Sequence, residues 1–140
     1  MPTARFEGQV ETSWMNDGRR MKLLKPVMYV DHTGKEWLAP EGSVIDGASI
    51  PKAFWSSVGP PFVGKYRRAT VIHDVQCVTR SEPYQDVHRM FYEAMVVDGT
   101  PKAKAREMYF AVKHFGPKWD EDGNDLIVEF DDDDIFDGGG

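Results

Sequence analysis

The residues best equipped for chemistry lie in the stretch Gly64-Lys-Tyr-Arg-Arg-Ala-Thr-Val-Ile-His-Asp74. At about 100° per residue, a helix here places Tyr66, Ala69, His73 and Cys77 along one stripe. Val71, Val75 and Val78 fall on the opposite side, so the helix is expected to be buried all round. An imidazole and a carboxylate on such a helix must find partners, because an unpaired buried charge is costly. The expected partner of His73 is Asp86, just inside the next helix, which a short connection folds antiparallel to the first. A carboxylate accepting one imidazole N–H would orient His73 and leave its other nitrogen free as a general base. Asp74 points about 100° further round, toward a cation or a loop. The same His–Asp pairing serves equally well as a structural clasp between helices, and Asp86 also suits the positive end of a helix dipole.

The second stretch is Val44-Ile-Asp-Gly-Ala-Ser-Ile-Pro51. Gly47, Ala48 and Ser49 let the backbone approach a neighbour closely, and the helix start that follows offers free N–H groups. Asp46 and Ser49 are therefore expected to line a pocket beside His73. The alternative is a tight strand-to-helix turn in which Asp46 bonds local backbone. Taken together, the candidate catalytic residues are Ser49, His73 and Asp86. Asp46 and Asp74, with Asp86, are candidate oxygen ligands for calcium or another divalent cation. Cys77 reads as a small buried hydrophobe. His32 and His114 have no ligand-spaced companions, and His88, two residues from Asp86, faces elsewhere on a helix.

These residues must be held by the elements around them. The first fifty residues alternate in polarity and carry turn signals at Asn16-Asp-Gly18 and Asp31-His-Thr-Gly34, which predicts antiparallel hairpins. Met21 to Val30 reads as extended, with Pro26 unsuited to a helix interior, and Glu36-Trp-Leu and Ser43-Val-Ile read as short strands. A short helix is expected from Ser49-Ile-Pro51. Lys65 to Thr79 has neither Gly nor Pro, and Val87, Met90, Phe91, Ala94 and Met95 form an apolar stripe closed by Gly99. Ala105, Met108, Val112 and Phe115 form the last stripe, stopped by Gly116-Pro117. Strands followed by helices predict an α+β fold, a small N-terminal antiparallel sheet packed on a bundle of three main helices.

Four of these stretches carry a resemblance. Asp46-Gly-Ala-Ser-Ile-Pro51, then Gly64-x-Tyr66-x-x-Ala69-x-x-x-His73-Asp74, then Asp86 with Phe91, Ala94 and Met95, then Ala105-x-x-x-Tyr109-x-Ala-Val112 resemble the DUF1353 family over about residues 40–116. The resemblance implies a bacteriophage or prophage origin and supplies no mechanism. A site-level resemblance to phospholipase A2 implies His73 as base, Asp74 as calcium ligand and Asp86 as orienting carboxylate. That family's paired cysteines are missing from this sequence, and no Gly-x-Gly calcium loop closely precedes the helix.

The chain has 140 residues, 41% of them hydrophobic, with eight Phe, five Tyr and four Trp. Such a composition excludes wholesale disorder. No apolar run approaches the ~20 residues of a membrane span, and nothing near Met1 reads as a signal peptide. One cysteine excludes an internal disulfide and zinc-finger spacing. Residues 1–118 hold 17 Lys and Arg against 13 Asp and Glu, whereas residues 119–140 hold 10 acids and no base. This divides the chain into a mildly basic body, 1–118, and an acidic tail, 119–140. The basic residues Lys65, Arg67, Arg68, Lys102, Lys104 and Arg106 lack interleaved aromatics, which argues against nucleic acid as a partner. In the tail, Phe130, Asp131, Asp132, Asp133, Asp134, Ile135 and Phe136 mix acid and apolar character in a way that suits docking on a partner protein, expected to be another phage protein. The expected role is a phage accessory or virion protein, in the host cytoplasm or the virion. The alternatives are a small hydrolase built on His73 and an inhibitor of a host defence protein.

Overall fold

The structure is a computed structural model and describes residues 3–55 and 64–126. The fold is α+β, as expected. Six short strands come first: β1 (Arg5–Glu7), β2 (Thr12–Trp14), β3 (Met21–Leu23), β4 (Val27–Val30), β5 (Glu36–Ala39) and β6 (Val44–Ile45). Where the short helix is expected, a 3₁₀ turn over Lys52–Phe54 leads into helical Trp55, and Ser56 lies outside the described residues. Among the described residues three helices follow: α1 (Arg67–Thr79), α2 (Tyr84–Val97) and α3 (Lys102–Phe115).

The strands form two antiparallel sheets, β1-β4-β5 and β2-β3-β6, rather than one. The division falls at Leu24-Lys25-Pro26, inside the stretch read as continuously extended. Proline has no N–H to continue a ladder. Leu24 donates instead to Glu11 O at 2.7 Å, and beyond Pro26 the chain pairs with β5, Val27 opposite Ala39. The crossing from β1 to β2 passes close under Pro26. A Cβ on Gly8 would lie 2.7 Å from the Pro26 carbonyl oxygen, and Gly8 has φ +92°. Both turn signals fold as read, with Gly18 donating to Met15 O at 3.0 Å and Gly34 to Asp31 O at 2.9 Å.

Helix α1 is central. It packs on α2 and on β4, β5 and β6, and residues 69 to 77 are buried on every side. Of the two stripes read from the sequence, only Val78 escapes, at 73% exposure. The stripe of α2 is buried as predicted, and so are Ala105, Met108 and Val112 of α3, whereas Phe115 is 63% exposed. Arg80 ends α1 in the left-handed conformation, φ 53°, and its guanidinium reaches Gly123 O at 3.0 Å and Asp125 at 2.6 Å.

Trp119, the first residue of the expected tail, is buried in the core. A bridge between Trp119 and Asp125 folds the segment back on itself, and Leu126 N–H donates to Lys118 O at 2.9 Å. The partner-docking residues Phe130 to Phe136 lie outside the described residues. No helix among the described residues is long and apolar enough to cross a membrane.

Gly116 closes α3 tightly. A Cβ there would lie 2.5 Å from Val112 O and 2.9 Å from Val112 Cα, both backbone atoms that cannot turn aside. We expect Gly116→Ala to cost about 1–3 kcal/mol in urea denaturation, the usual penalty for overpacking. An unchanged midpoint would show that the chain after α3 has room to shift.

Candidate functional site

Three elements converge on one buried cluster. The α1 helix supplies His73, Asp74 and Cys77, α2 supplies His88, and the turn after β6 supplies Ser49. The turn is drawn onto α1 by its own backbone. Asp46 and Ser49 N–H groups donate to the two oxygens of Asp74, at 3.1 and 3.4 Å. Gly47 takes φ +76° to allow this, a conformation that disfavours any residue with a Cβ. Ile50 N–H then closes the turn on Gly47 O at 3.1 Å.

His73 is fully buried. Its ring stacks on Phe91 with centroids 4.3 Å apart. Nδ1 lies 3.1 Å from Ser49 Oγ and Nε2 lies 2.8 Å from His88 Nδ1. His88 Nε2 in turn lies 2.8 Å from the carbonyl oxygen of Pro117. A carbonyl only accepts, so His88 Nε2 carries a hydrogen and donates it. Neutral His88 then offers Nδ1 as an acceptor, and His73 donates from Nε2. His73 Nδ1 is left to accept from the Ser49 hydroxyl, whose one hydrogen also has the Asp74 carboxylate as an acceptor. All four groups are satisfied by one directed chain, from Ser49 through both imidazoles to Pro117.

Burial keeps both imidazoles neutral. It pushes the His73 pKa well below its ordinary 6.5, and proximity to His88 lowers it further. His88 is lowered too, first by burial, against the Pro117 hydrogen bond, with a smaller push from Lys118. Burial raises the Asp74 carboxyl, and the nearby Asp46 charge adds to this, while hydrogen bonds from Asp46 and Ser49 oppose it. The Cys77 thiol, also pushed up by burial, sits 3.6 Å from His73 Nε2 and 3.9 Å from its Nδ1.

The expected pairing of His73 with Asp86 does not occur. Asp86 is half-buried, and its carboxylate lies 3.8 Å from the Arg89 guanidinium. It borders an open cleft of ≈ 390 Å³ shared with Asp31, Trp37 and Arg89. The reason is helix phase. Asp86 and His88 are about 200° apart around α2, so one of them faces α1 and the other cannot. His88 occupies the inward face with Tyr84, Phe91 and Met95, at spacings of four, three and four. That series was legible in the sequence and identifies the partner that was missed. Nor are Asp46, Asp74 and Asp86 gathered into a cation site: Asp46 turns its Oδ1 to Ala48 N–H at 2.8 Å, and Asp74 holds the turn. Among the described residues, the three-ligand cluster is His73, Cys77 and His88, their ligating atoms all within 4.8 Å of one another.

This arrangement can do two things chemically. A hydroxyl hydrogen-bonded to a neutral imidazole, itself supported on the far side, is the set of parts of an activated nucleophile. Two imidazoles and a thiol within reach of one point form a ligand set for a borderline-soft metal.

Two curated relatives come from Sinorhizobium fredii (strain NBRC 101917 / NGR234). The uncharacterized protein y4jT is 49% identical over 98 residues, covering 70% of this chain and 29% of its own length. The uncharacterized protein y4iH is 41% identical over 99 residues, 70% of this chain and 41% of its own. The chain thus spans less than half the length of these curated relatives. No solved structure matches it. The family described as protein of unknown function (DUF1353) matches residues 21–112, from β3 to the last turn of α3. That match takes in Ser49, His73, Cys77 and His88, and the chain belongs to this family.

Proposed function

We propose that the protein is a serine acyl hydrolase in which Ser49 is the nucleophile and His73 the general base. The observation that carries this reading is the directed hydrogen-bond chain from the Ser49 hydroxyl to His73, His88 and the Pro117 carbonyl. Ser49 Oγ would form a bond to the acyl carbon while its proton passes to His73 Nδ1. The imidazolium so formed is stabilised through its Nε2–H by His88, whose tautomer Pro117 sets. His73 then returns the proton to the departing alcohol or amine, and water releases the acyl group by the reverse sequence. His88 fills the orienting place for which Asp86 was expected. Ser49 is only 3% exposed, so an acyl group reaches it only when the structure around the cluster opens locally while Ser49 stays on His73. Slow, time-dependent reaction follows from that requirement.

The test is covalent labelling of the full chain by a fluorophosphonate probe, with hydrolysis of a short-chain nitrophenyl ester, both in the presence of a chelator. Labelling should map to Ser49 and vanish in Ser49→Ala, and His73→Gln should lower ester turnover by about 10²–10⁴-fold. Absence of labelling, or labelling that survives Ser49→Ala, would return the cluster to the reading of a clasp between α1 and α2. A phage or virion role through the acidic tail concerns residues outside those described, and the hydrolytic reading does not depend on it.

A further inference from the structure

Hydrogen bonds account for the two histidines and Ser49, yet they leave the thiol of Cys77 without a role and the charge of Asp74 without a counter-ion. Cys77, one turn along α1 from His73, rests its Sγ against the imidazole, 3.6 Å from Nε2, the nitrogen that His88 engages, and 3.9 Å from Nδ1. Asp74 buries a carboxylate, 4% exposed, and among the described residues no Lys, Arg or His stands within ion-pair distance of it. A cation placed between the two imidazoles and the thiol would use the thiol and neutralise the carboxylate.

We propose that His73 Nε2, Cys77 Sγ and His88 Nδ1 form a zinc site, with one coordination position left for water or an exogenous ligand. The three ligating atoms lie within 4.8 Å of one another, and side-chain adjustment has to bring them to what zinc requires. Tetrahedral Zn²⁺, with bonds of about 2.0–2.1 Å to nitrogen and about 2.3 Å to sulfur, sets ligand atoms about 3.3–3.6 Å apart. Cys77 Sγ and His73 Nε2 already stand 3.6 Å apart. The His73–His88 pair, at 2.8 Å, has to open by about 0.5 Å as the metal replaces the hydrogen between them. The outer partners are in place as well. Metal-bound histidines hold their second nitrogen on a carbonyl, hydroxyl or carboxylate; here His88 Nε2 is on Pro117 O and His73 Nδ1 is on Ser49 Oγ.

Protons and charge balance. His73 shifts its hydrogen from Nε2 to Nδ1, where the Ser49 oxygen accepts it. Cys77 loses its proton, so each bound metal releases one proton to solvent. Zn²⁺, one thiolate and the Asp74 carboxylate sum to zero within the buried cluster. Two imidazoles and a thiolate select zinc over calcium or magnesium, which prefer oxygen. Binding takes the two nitrogens that join His73 to His88, so zinc and the proposed hydrolytic relay exclude one another. The zinc site itself does not rest on the hydrolytic reading.

The full chain, stripped with a chelator and dialysed, should be titrated with Co²⁺ as a spectroscopic substitute. The expected result is one cobalt per chain, with the visible bands of tetrahedral cobalt and near-ultraviolet thiolate-to-cobalt absorption, all displaced by one equivalent of Zn²⁺. Cys77→Ser, close in size and suited to the same packing, should abolish the thiolate absorption and weaken binding at least tenfold; His88→Gln should weaken it comparably. Proton release in weak buffer should be one per metal in the parent chain and none in Cys77→Ser. Failure to bind cobalt, an octahedral spectrum, or equal affinity in Cys77→Ser would overturn the proposal, and none of these readouts requires turnover.

Discussion

Acidification from about pH 7.5 to about pH 5 is expected to destabilise the protein more steeply than its carboxylates explain, because two buried histidines fold in the neutral form. His73 and His88 both have folded pKa values below their ordinary 6.5, burial being the main cause in each. Between 6.5 and those lowered values the unfolded chain binds protons that the folded chain refuses. Stability is therefore fully present above the unfolded value and is lost as the pH falls below it. Each histidine contributes a slope of at most about 1.4 kcal/mol per pH unit, reached only between its lowered and its ordinary pKa. Against a total of roughly 5–15 kcal/mol for an ordinary domain, that is large. Asp74 acts in the opposite sense, since its raised carboxyl gains from protonation in the folded state, and it offsets part of the loss. The lowered Asp31 carboxyl, where hydrogen bonds from Thr33, Trp37 and Lys35 outweigh burial, adds a loss only at more acid pH. Urea denaturation at stepped pH with a chelator present measures the slope, and His88→Gln should reduce it. A flat profile between pH 7 and 5 would mean that one imidazole is charged in the folded protein, and the directed chain from Ser49 to Pro117 would not exist as described.

Trp119→Ala is expected to cost about 3–5 kcal/mol, the range for deleting a large buried aromatic. Trp119 is 3% exposed. Its ring meets Tyr84 and His88 edge-on at 6.0 and 6.1 Å, and the Arg80 guanidinium lies 5.0 Å from its centre. Its indole N–H donates to Glu82 O at 2.8 Å, and an acceptor left without that donor adds about 1 kcal/mol or more. Trp119→Phe should restore most of the packing and none of the hydrogen bond. A chain ending at Lys118 should be at least as unstable as Trp119→Ala, because it also loses Asp125 from Arg80. Equilibrium unfolding decides the matter: a cost under about 1 kcal/mol for Trp119→Ala would show that residues 119–126 do not dock on the body. Since Trp119 flanks His88, the same variant should also weaken cobalt binding at the cluster.

The comparison of Asp86 with His88 shows how far a sequence reaches into such a site. Apolar spacing placed α2 and its buried face correctly, with Val87, Met90, Phe91, Ala94 and Met95 all inside. The same spacing puts His88 on that face. Chemical habit pointed instead to a carboxylate as the partner of an imidazole, and two residues of helix turn that carboxylate toward an open cleft. The acidic count in residues 119–140 likewise marked the whole segment as tail, whereas one tryptophan at its start outweighs its charged neighbours by the apolar area it buries.

By itself the sequence determined the strands-then-helices order, the burial of α1 on every side and the turns at Gly18 and Gly34. It also determined that His73 and Asp74 are polar groups in an apolar setting. These follow from periodicity, turn stereochemistry and the cost of burying polar groups, all of which act over a few residues. Tertiary structure alone decided that the strands form two sheets, that His88 rather than Asp86 meets His73, that Cys77 joins them, and that Trp119 closes the core over His88. Each of those depends on the relative rotation and approach of elements distant in the chain. That rotation is set by the packing of whole faces rather than by any local pattern, and a change of two residues around α2 exchanges a carboxylate for an imidazole at the same place.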